Sequence, residues 1–127
     1  MVTGSALRAD WGRRNFHAGS AAEEIVARRY EAAGHRIVAR RWRGRGGEID
    51  LIACKDGALA FIEVKASRDF ARAVASLGVR QIRRIACAAE EFLGSQPAGS
   101  LTDCRFDLAV VDGRGACQVT ENAFMAA

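Results

Sequence analysis

The chain has 127 residues, half of them apolar and 27% charged, with a net charge of +4, which suits one domain around one core and excludes two. No apolar run approaches the roughly 18–20 residues needed to cross a bilayer as a helix. The opening stretch MVTGSALRADWGRRNF lacks the apolar centre of a signal peptide, so a cytoplasmic protein without a membrane partner is expected.

In chain order, residues 1–17 show no periodicity, and Gly4, Ser5 and Gly12 predict a flexible N-terminal arm ahead of a single domain over 18–127. Ala22, Ile25, Val26, Arg29 and Tyr30 then recur at spacings of three and four, and Gly34 is a natural stop, which predicts a helix over 18–33. The segment HRIVARRWR reads as a first strand near a sheet edge, followed by a glycine-rich turn from Gly44 to Gly47. Strands over 47–54 and 58–66 follow, joined by the turn residues Lys55-Asp56-Gly57. Beyond Arg68 helical spacing returns, with Gly78 marking a break between a short helix and a long one that carries Ile82, Ile85, Ala89 and Phe92 on its apolar side. The loop 94–100 holds the only proline. CRFDLAVV (104–111) reads as a buried strand, 112–115 as a turn, 116–120 as a last short strand and 121–127 as a tail.

The resulting order is αβββαββ, an α/β fold. The strand after the long helix cannot be a hairpin partner of the third, so it is expected to pair in parallel through a right-handed crossover, giving a mixed sheet with helices on both faces. Cys54, Cys87, Cys104 and Cys117 form no C-x-x-C pair and have no nearby histidine. Buried free thiols are expected, not a zinc site or a disulfide framework.

Charge is unevenly spread. Residues 8–45 hold ten arginines against four acids, so an anionic partner is expected, a polyphosphate such as nucleic acid being the commonest, although a solvated basic face would look the same.

The hairpin GGEIDLIACKDGALAFIEVK (46–65) carries acids at alternate positions of apolar runs, which folding alone does not require. Alternation places Glu48 and Asp50 on one side with Ile49 and Leu51 opposite, and Glu63 and Lys65 on one side with Ile62 and Val64 opposite. Pairing the strands brings Asp50, Glu63 and Lys65 together. Two close carboxylates repel each other unless a cation relieves them. Hard oxygen donors suit Mg²⁺ or Mn²⁺ held by one or two carboxylates plus waters and phosphate oxygens, and a neighbouring ammonium can stabilise charge developing on a phosphate. These are the parts of a metal-dependent nuclease. An acid two residues before a lysine is common by chance, and cross-strand Glu and Lys also form ordinary surface pairs. Yet Lys55 and Lys65 are the only lysines beside seventeen arginines, a sign that an ammonium is wanted at 65.

Gly19-x-x-x-Glu23, Gly34, GGEIDLIA, FIEVK, Arg84-Ile85, Ala88-Ala89 with Phe92-Leu93, CRFDLAVV and Asn122-Ala123-Phe124 together resemble, in order, the YraN-like family of bacterial proteins. That family looks like a member of the restriction-endonuclease-like superfamily with its PD-(D/E)XK signature, similar to archaeal Holliday-junction resolvases. The resemblance implies a restriction-endonuclease-like core, a central four- to five-stranded mixed β-sheet flanked by helices. It also implies catalytic roles for Asp50, Glu63 and Lys65, with Glu23 joining Asp50 and Glu63 as a metal acid. Glu48, within the GEID motif, is either an accessory acid, a cap of the glycine turn or an arginine's partner. Gln81 stands where the family usually has a lysine, and Arg68 lies beside the position of a usual arginine, here Ser67. The implied activity is Mg²⁺- or Mn²⁺-dependent hydrolysis of DNA, branched or damaged DNA included, with Arg40, Arg41, Arg43, Arg45, Arg68, Arg80 and Arg84 meeting phosphates. A nucleic-acid-binding protein on the same fold that has lost turnover is the alternative, and pairing as a homodimer, as resolvases do, stays open.

Overall fold

The structure, a computed structural model, describes residues 20–124; the expected arm over 1–17 lies outside them. The described part opens with helix α1 (20–32), then β1 (Arg36–Arg43), β2 (Glu48–Lys55) and β3 (Ala58–Ala66). Helices α2 (Phe70–Ala75) and α3 (Val79–Leu93), a 3₁₀ turn (Gly99–Leu101), β4 (Cys104–Val111) and β5 (Cys117–Thr120) complete it. The five strands lie in sequence order in one sheet. All neighbours are antiparallel except β3 and β4, which run parallel from Leu59 opposite Cys104 to Ala66 opposite Val111. The crossover between them is made by α2 and α3, and the break at Gly78 is the α3 N-cap. The α/β class, mixed sheet and element order read from the sequence are borne out.

The β2–β3 turn is tight because Asp56 and Gly57 both adopt positive φ, 53° and 82°, the two-residue geometry whose twist matches that of the strands. One face of the sheet is covered by α1. Ala22, Val26, Ala27 and Tyr30 pack on Leu51, Ala53, Ala60, Ile62, Ala109 and Val111. On the other, Ile85, Ala88 and Ala89 of α3 pack on Ile52, Leu59, Phe61 and Phe106. Each large side chain so buried contributes roughly 1.5–3 kcal/mol. Because β4 is covered on both faces, it is buried continuously from Phe106 to Val111, as the apolar run from Leu108 to Val111 predicts.

Three expectations need correction. Ile49 and Leu51 do not share a side: Leu51 packs under α1 and Ile49 under α3. The period-two pattern breaks at Asp50, where the ladder from Lys55–Ala58 to Leu51–Ile62 ends. The four cysteines are free, but Cys87 and Cys104 are exposed. Cys87 lies on α3 beside the glycine turn, and Cys104 is the first residue of β4. The segment after β5 is not a loose tail up to Phe124: Ala123 N–H donates to Phe106 O at 2.8 Å, and Phe124 is buried against the Phe106 ring at 5.5 Å.

Candidate active site

Asp50 lies at the point where β2 leaves its pairing with β3. Its Oδ2 accepts the Val64 N–H at 2.9 Å, so a side chain replaces a ladder acceptor and turns the carboxylate across β3. Glu63, on β3, is 7% exposed and faces it. The two carboxyls are near enough to share a hydrogen bond. Lys65, two residues on and on the same side, places Nζ 3.5 Å from Glu63 Oε2. From α3, Gln81 donates its Nε2–H to Glu63 Oε2, and Lys65 Nζ donates to Gln81 Oε1 at 3.4 Å. Asp50, Glu63, Lys65 and Gln81 are therefore one connected group.

The glycine turn sets this group's distance from α3. A Cβ on Gly47 would lie 2.5 Å from the Arg84 carbonyl oxygen, and one on Gly46 would lie 2.9 Å from Cys87 Sγ. Gly44 N–H closes the turn on Gly47 O at 2.9 Å, and Arg45 N–H is held by Glu91 Oε1 at 2.9 Å. With the hairpin this close, Gly47, Glu48, Asp50, Glu63, Gln81, Arg84 and Ile85 enclose a polar cleft of about 310 Å³. A larger hollow of about 530 Å³ lies elsewhere, between α1, the end of β3 and the β4–β5 turn. It holds none of the cleft's acids, and Arg68 and Asp112 line it.

Burial, followed by the charge of Asp50, pushes the Glu63 carboxyl up to about 8, with Lys65 opposing. Asp50 is also raised, chiefly by burial and with Glu48 adding, against the lowering effect of the Val64 N–H. Burial thus disfavours the charged form of both carboxyls, and Lys65 and the Val64 N–H only partly offset it. Glu23 on α1 lies close enough for the charges of Asp50 and Glu48 to add to the burial that raises it, yet its Oε1 accepts from Arg41 Nε at 3.0 Å. Among the described residues no three His, Cys, Asp or Glu side chains form a ready metal cage. The donor set fits a hard divalent cation held by Asp50 and Glu63, with other ligands from water and substrate, better than an all-protein shell.

The basic residues divide into two groups. On β1, Arg40 pairs with Glu24 at 3.1 Å, Arg41 with Glu23, and Arg43 with Glu48 at 3.4 Å. The expected basic strand is therefore largely neutralised by α1 and by its own hairpin neighbour, and for Glu48 the arginine-partner alternative holds. Arg45 is exposed on the glycine turn. Arg80, Arg83 and Arg84 are exposed on α3, and among the described residues none of the three pairs with an acid; Arg84 lines the cleft.

One feature had no signal in the sequence. Asp107 on β4 is fully buried and satisfied by Tyr30 Oη at 2.6 Å, Arg105 Nε at 3.0 Å and the Asn122 N–H at 2.9 Å. It ties α1, β4 and the final turn together, away from the cleft. Only the unusual acid inside CRFDLAVV could have hinted at it.

The fold and site define an α/β protein with a mixed five-stranded sheet whose central hairpin presents paired carboxylates to a cleft under α3, with a lysine beside one of them. Residues 22–111 match the family described as "Uncharacterised protein family UPF0102". A UPF0102 protein of Ruegeria pomeroyi is 58% identical over 113 residues, covering 89% of this chain and 92% of the relative. One of Cereibacter sphaeroides is 55% identical over 116 residues, 91% and 98%, and one of Roseobacter denitrificans is 50% identical over 112 residues, 88% and 87%. The chain belongs to the UPF0102 family, in keeping with the YraN-like resemblance. No helix of the described residues is long and apolar enough to cross a membrane.

Proposed function

We propose that the protein is a metal-dependent endonuclease that hydrolyses phosphodiester bonds of DNA in the cleft between the hairpin and α3, branched or damaged DNA being the favoured substrate class. The observation that carries this is the pair of facing carboxyls, Asp50 and Glu63, inside a polar cleft with the Lys65 ammonium 3.5 Å from Glu63. A fold has no use for two facing carboxyls whose charge burial opposes, the charge of Asp50 raising Glu63 further; a cation site does. The PD-(D/E)XK likeness of the hairpin supports the same reading.

Asp50 and Glu63 would hold Mg²⁺ or Mn²⁺, which when bound polarises a phosphate and offsets the charge that develops in displacement. Gln81 fixes the Glu63 carboxylate through its amide donor and so keeps one rotamer aimed at the cleft. Lys65 brings a compact positive charge to within 3.5 Å of Glu63, where it would hold a non-bridging phosphate oxygen. Arg84 on the wall, with Arg80 and Arg83 beside it on α3, would neutralise flanking phosphates, making affinity fall steeply with salt.

A second reading, a nucleic-acid-binding protein on the same fold without turnover, is favoured by one observation: Glu63 already has an amide donor in Gln81 and an ammonium in Lys65. The experiment that separates them is a panel of linear, flapped and four-way DNA incubated with Mg²⁺ or Mn²⁺, wild type beside Asp50→Ala and Lys65→Ala. Cleavage by wild type alone supports the nuclease. Binding without metal-dependent cleavage on every substrate supports the second reading, and full cleavage by Asp50→Ala overturns the assigned site.

A further inference from the structure

Arg41 stands in the middle of β1 with φ 48°, a left-handed conformation that a non-glycine residue adopts at a cost and that tends to persist where the surroundings impose it. Its neighbours pair regularly, Arg40 with Leu51 and Trp42 with Ile49, so Arg41 lies across from Asp50. From there its guanidinium reaches α1, donating Nε–H to Glu23 Oε1 and Nη2–H to Ser20 Oγ, each at 3.0 Å. Glu23 is the more buried partner, its side chain 16% exposed against 37% for Arg41. It also faces the cleft acids, since Asp50 and Glu48 both act on it electrostatically. The other β1 pairs differ. Arg40 meets a Glu24 that Arg28 shares and that is 45% exposed, and Arg43–Glu48 is 79% and 40% exposed, open to screening by salt.

We propose that the Glu23–Arg41 pair is a latch coupling the cleft to its substrate: a divalent cation between Asp50 and Glu63 releases the Arg41 guanidinium from Glu23 to take a phosphate of the bound DNA strand. The inference rests on the metal-dependent reading above. The driving force is Coulombic. Two added positive charges at Asp50 compete for the field of Glu23 and repel the guanidinium beside it, in surroundings less polar than water. Once released, a guanidinium presents a planar fork of donors that matches two phosphate oxygens. Before release it is neutralised, so DNA without the cation meets a weaker site. Linkage requires the effect to be reciprocal: DNA must raise the affinity for the cation by the same factor.

The test measures binding of a fluorescent phosphorothioate duplex by anisotropy, with and without Mg²⁺ at matched ionic strength, alongside thermal melts with and without Mg²⁺. Wild type should bind more tightly with Mg²⁺, the latch contributing about 5-fold. Glu23→Gln should raise the Mg²⁺-free affinity by that factor and lose the corresponding part of the Mg²⁺ effect. Arg41→Gln should lose the same part of the Mg²⁺ effect from the other side. Glu24→Gln, which removes the same charge one residue away, should keep the wild-type Mg²⁺ effect. If Arg41→Gln does not fold, the contrast between Glu23→Gln and Glu24→Gln decides alone. A wild-type melt raised by Mg²⁺ together with an unchanged Mg²⁺ effect on DNA in Glu23→Gln overturns the latch and leaves the metal site standing. A wild-type melt that does not respond to Mg²⁺ or Mn²⁺ overturns both.

Discussion

The Val64 N–H donates to the Asp50 carboxylate at 2.9 Å, one residue beyond the last backbone pair of the β2–β3 ladder. The side chain takes over where the main chain stops, and that substitution holds Asp50 against Glu63. Ile49 and Leu51 part to opposite faces at the same point, where β2 has left β3 but stays paired with β1.

Asp50→Asn keeps an oxygen for Val64 while removing a carboxyl whose charge burial opposes. Without metal the variant should melt higher than wild type by a few degrees, on the order of 1 kcal/mol of relieved desolvation. It should also lose the stabilisation that millimolar Mg²⁺ or Mn²⁺ gives wild type by mass action. A lower metal-free melt would mean that Asp50 is a structural acid satisfied by its neighbours.

Glu63 yields a pH signature. Its pKa rises from 4.5 to about 8 in the folded state, so between those values the native protein binds more protons than the unfolded chain. Stability must therefore fall as pH rises through that window and level off above it. Saturating Mg²⁺ should flatten the slope, and its binding near neutral pH should release protons, measurable by calorimetry in buffers of different ionisation enthalpy. Metal-free melts that stay level from pH 5 to pH 8 would remove the basis for this assignment.

Much of the hairpin was legible because its signals are local. The turn residues Lys55-Asp56-Gly57 and the alternation of Glu63 with Ile62 and Val64 fix the register, and register fixes which charges meet. The fate of the arginines was not legible. Arg40 and Arg41 find Glu24 and Glu23 across 16 and 18 residues, and only the packing of α1 on the sheet brings them together. The same holds for Asp107, whose partners Tyr30 and Asn122 are separated from it by 77 and 15 residues. Local pattern fixes faces where the ladder is regular, as it is not at Asp50; it does not report which polar groups a crossover brings into contact.

Gly47→Ala tests the spacing between hairpin and α3. The new Cβ would meet the Arg84 carbonyl oxygen at 2.5 Å, and backbone cannot swing aside as a side-chain tip can. The variant should lose roughly 1–3 kcal/mol, seen as a lower melt, and a hairpin moved from α3 should separate Glu63 from Gln81 and weaken the Mg²⁺ response. Gly57→Ala is the contrast, since nothing lies within 4 Å of its Cβ and only its φ of 82° is strained.

Tyr30→Phe isolates the buried Asp107 from one of its donors. Loss of a hydrogen bond to a buried carboxylate should cost about 1.5–3 kcal/mol, a shift of several degrees in the melt. Because this network lies apart from the cleft, the Mg²⁺ response and DNA affinity of the folded variant should match wild type. A variant that folds yet loses its metal response would show that α1, and with it Glu23, is positioned through Tyr30.

The division of arginines into paired and unpaired predicts which of them carry DNA affinity. Arg84 borders the cleft and meets no acid among the described residues, whereas Arg40 is already neutralised by Glu24 at 3.1 Å. A phosphate contact releases condensed counterions, so its loss lowers the slope of log affinity against log salt by about 1. Arg84→Gln should show that decrease, and so should Arg80→Gln if the strand runs along α3. Arg40→Gln should leave the slope near wild type, because the guanidinium it removes must first give up Glu24 to meet a phosphate. Anisotropy titrations of duplex DNA over a series of salt concentrations measure all three. An equal drop for Arg40 and Arg84 would mean that the Arg40–Glu24 pair also opens on binding.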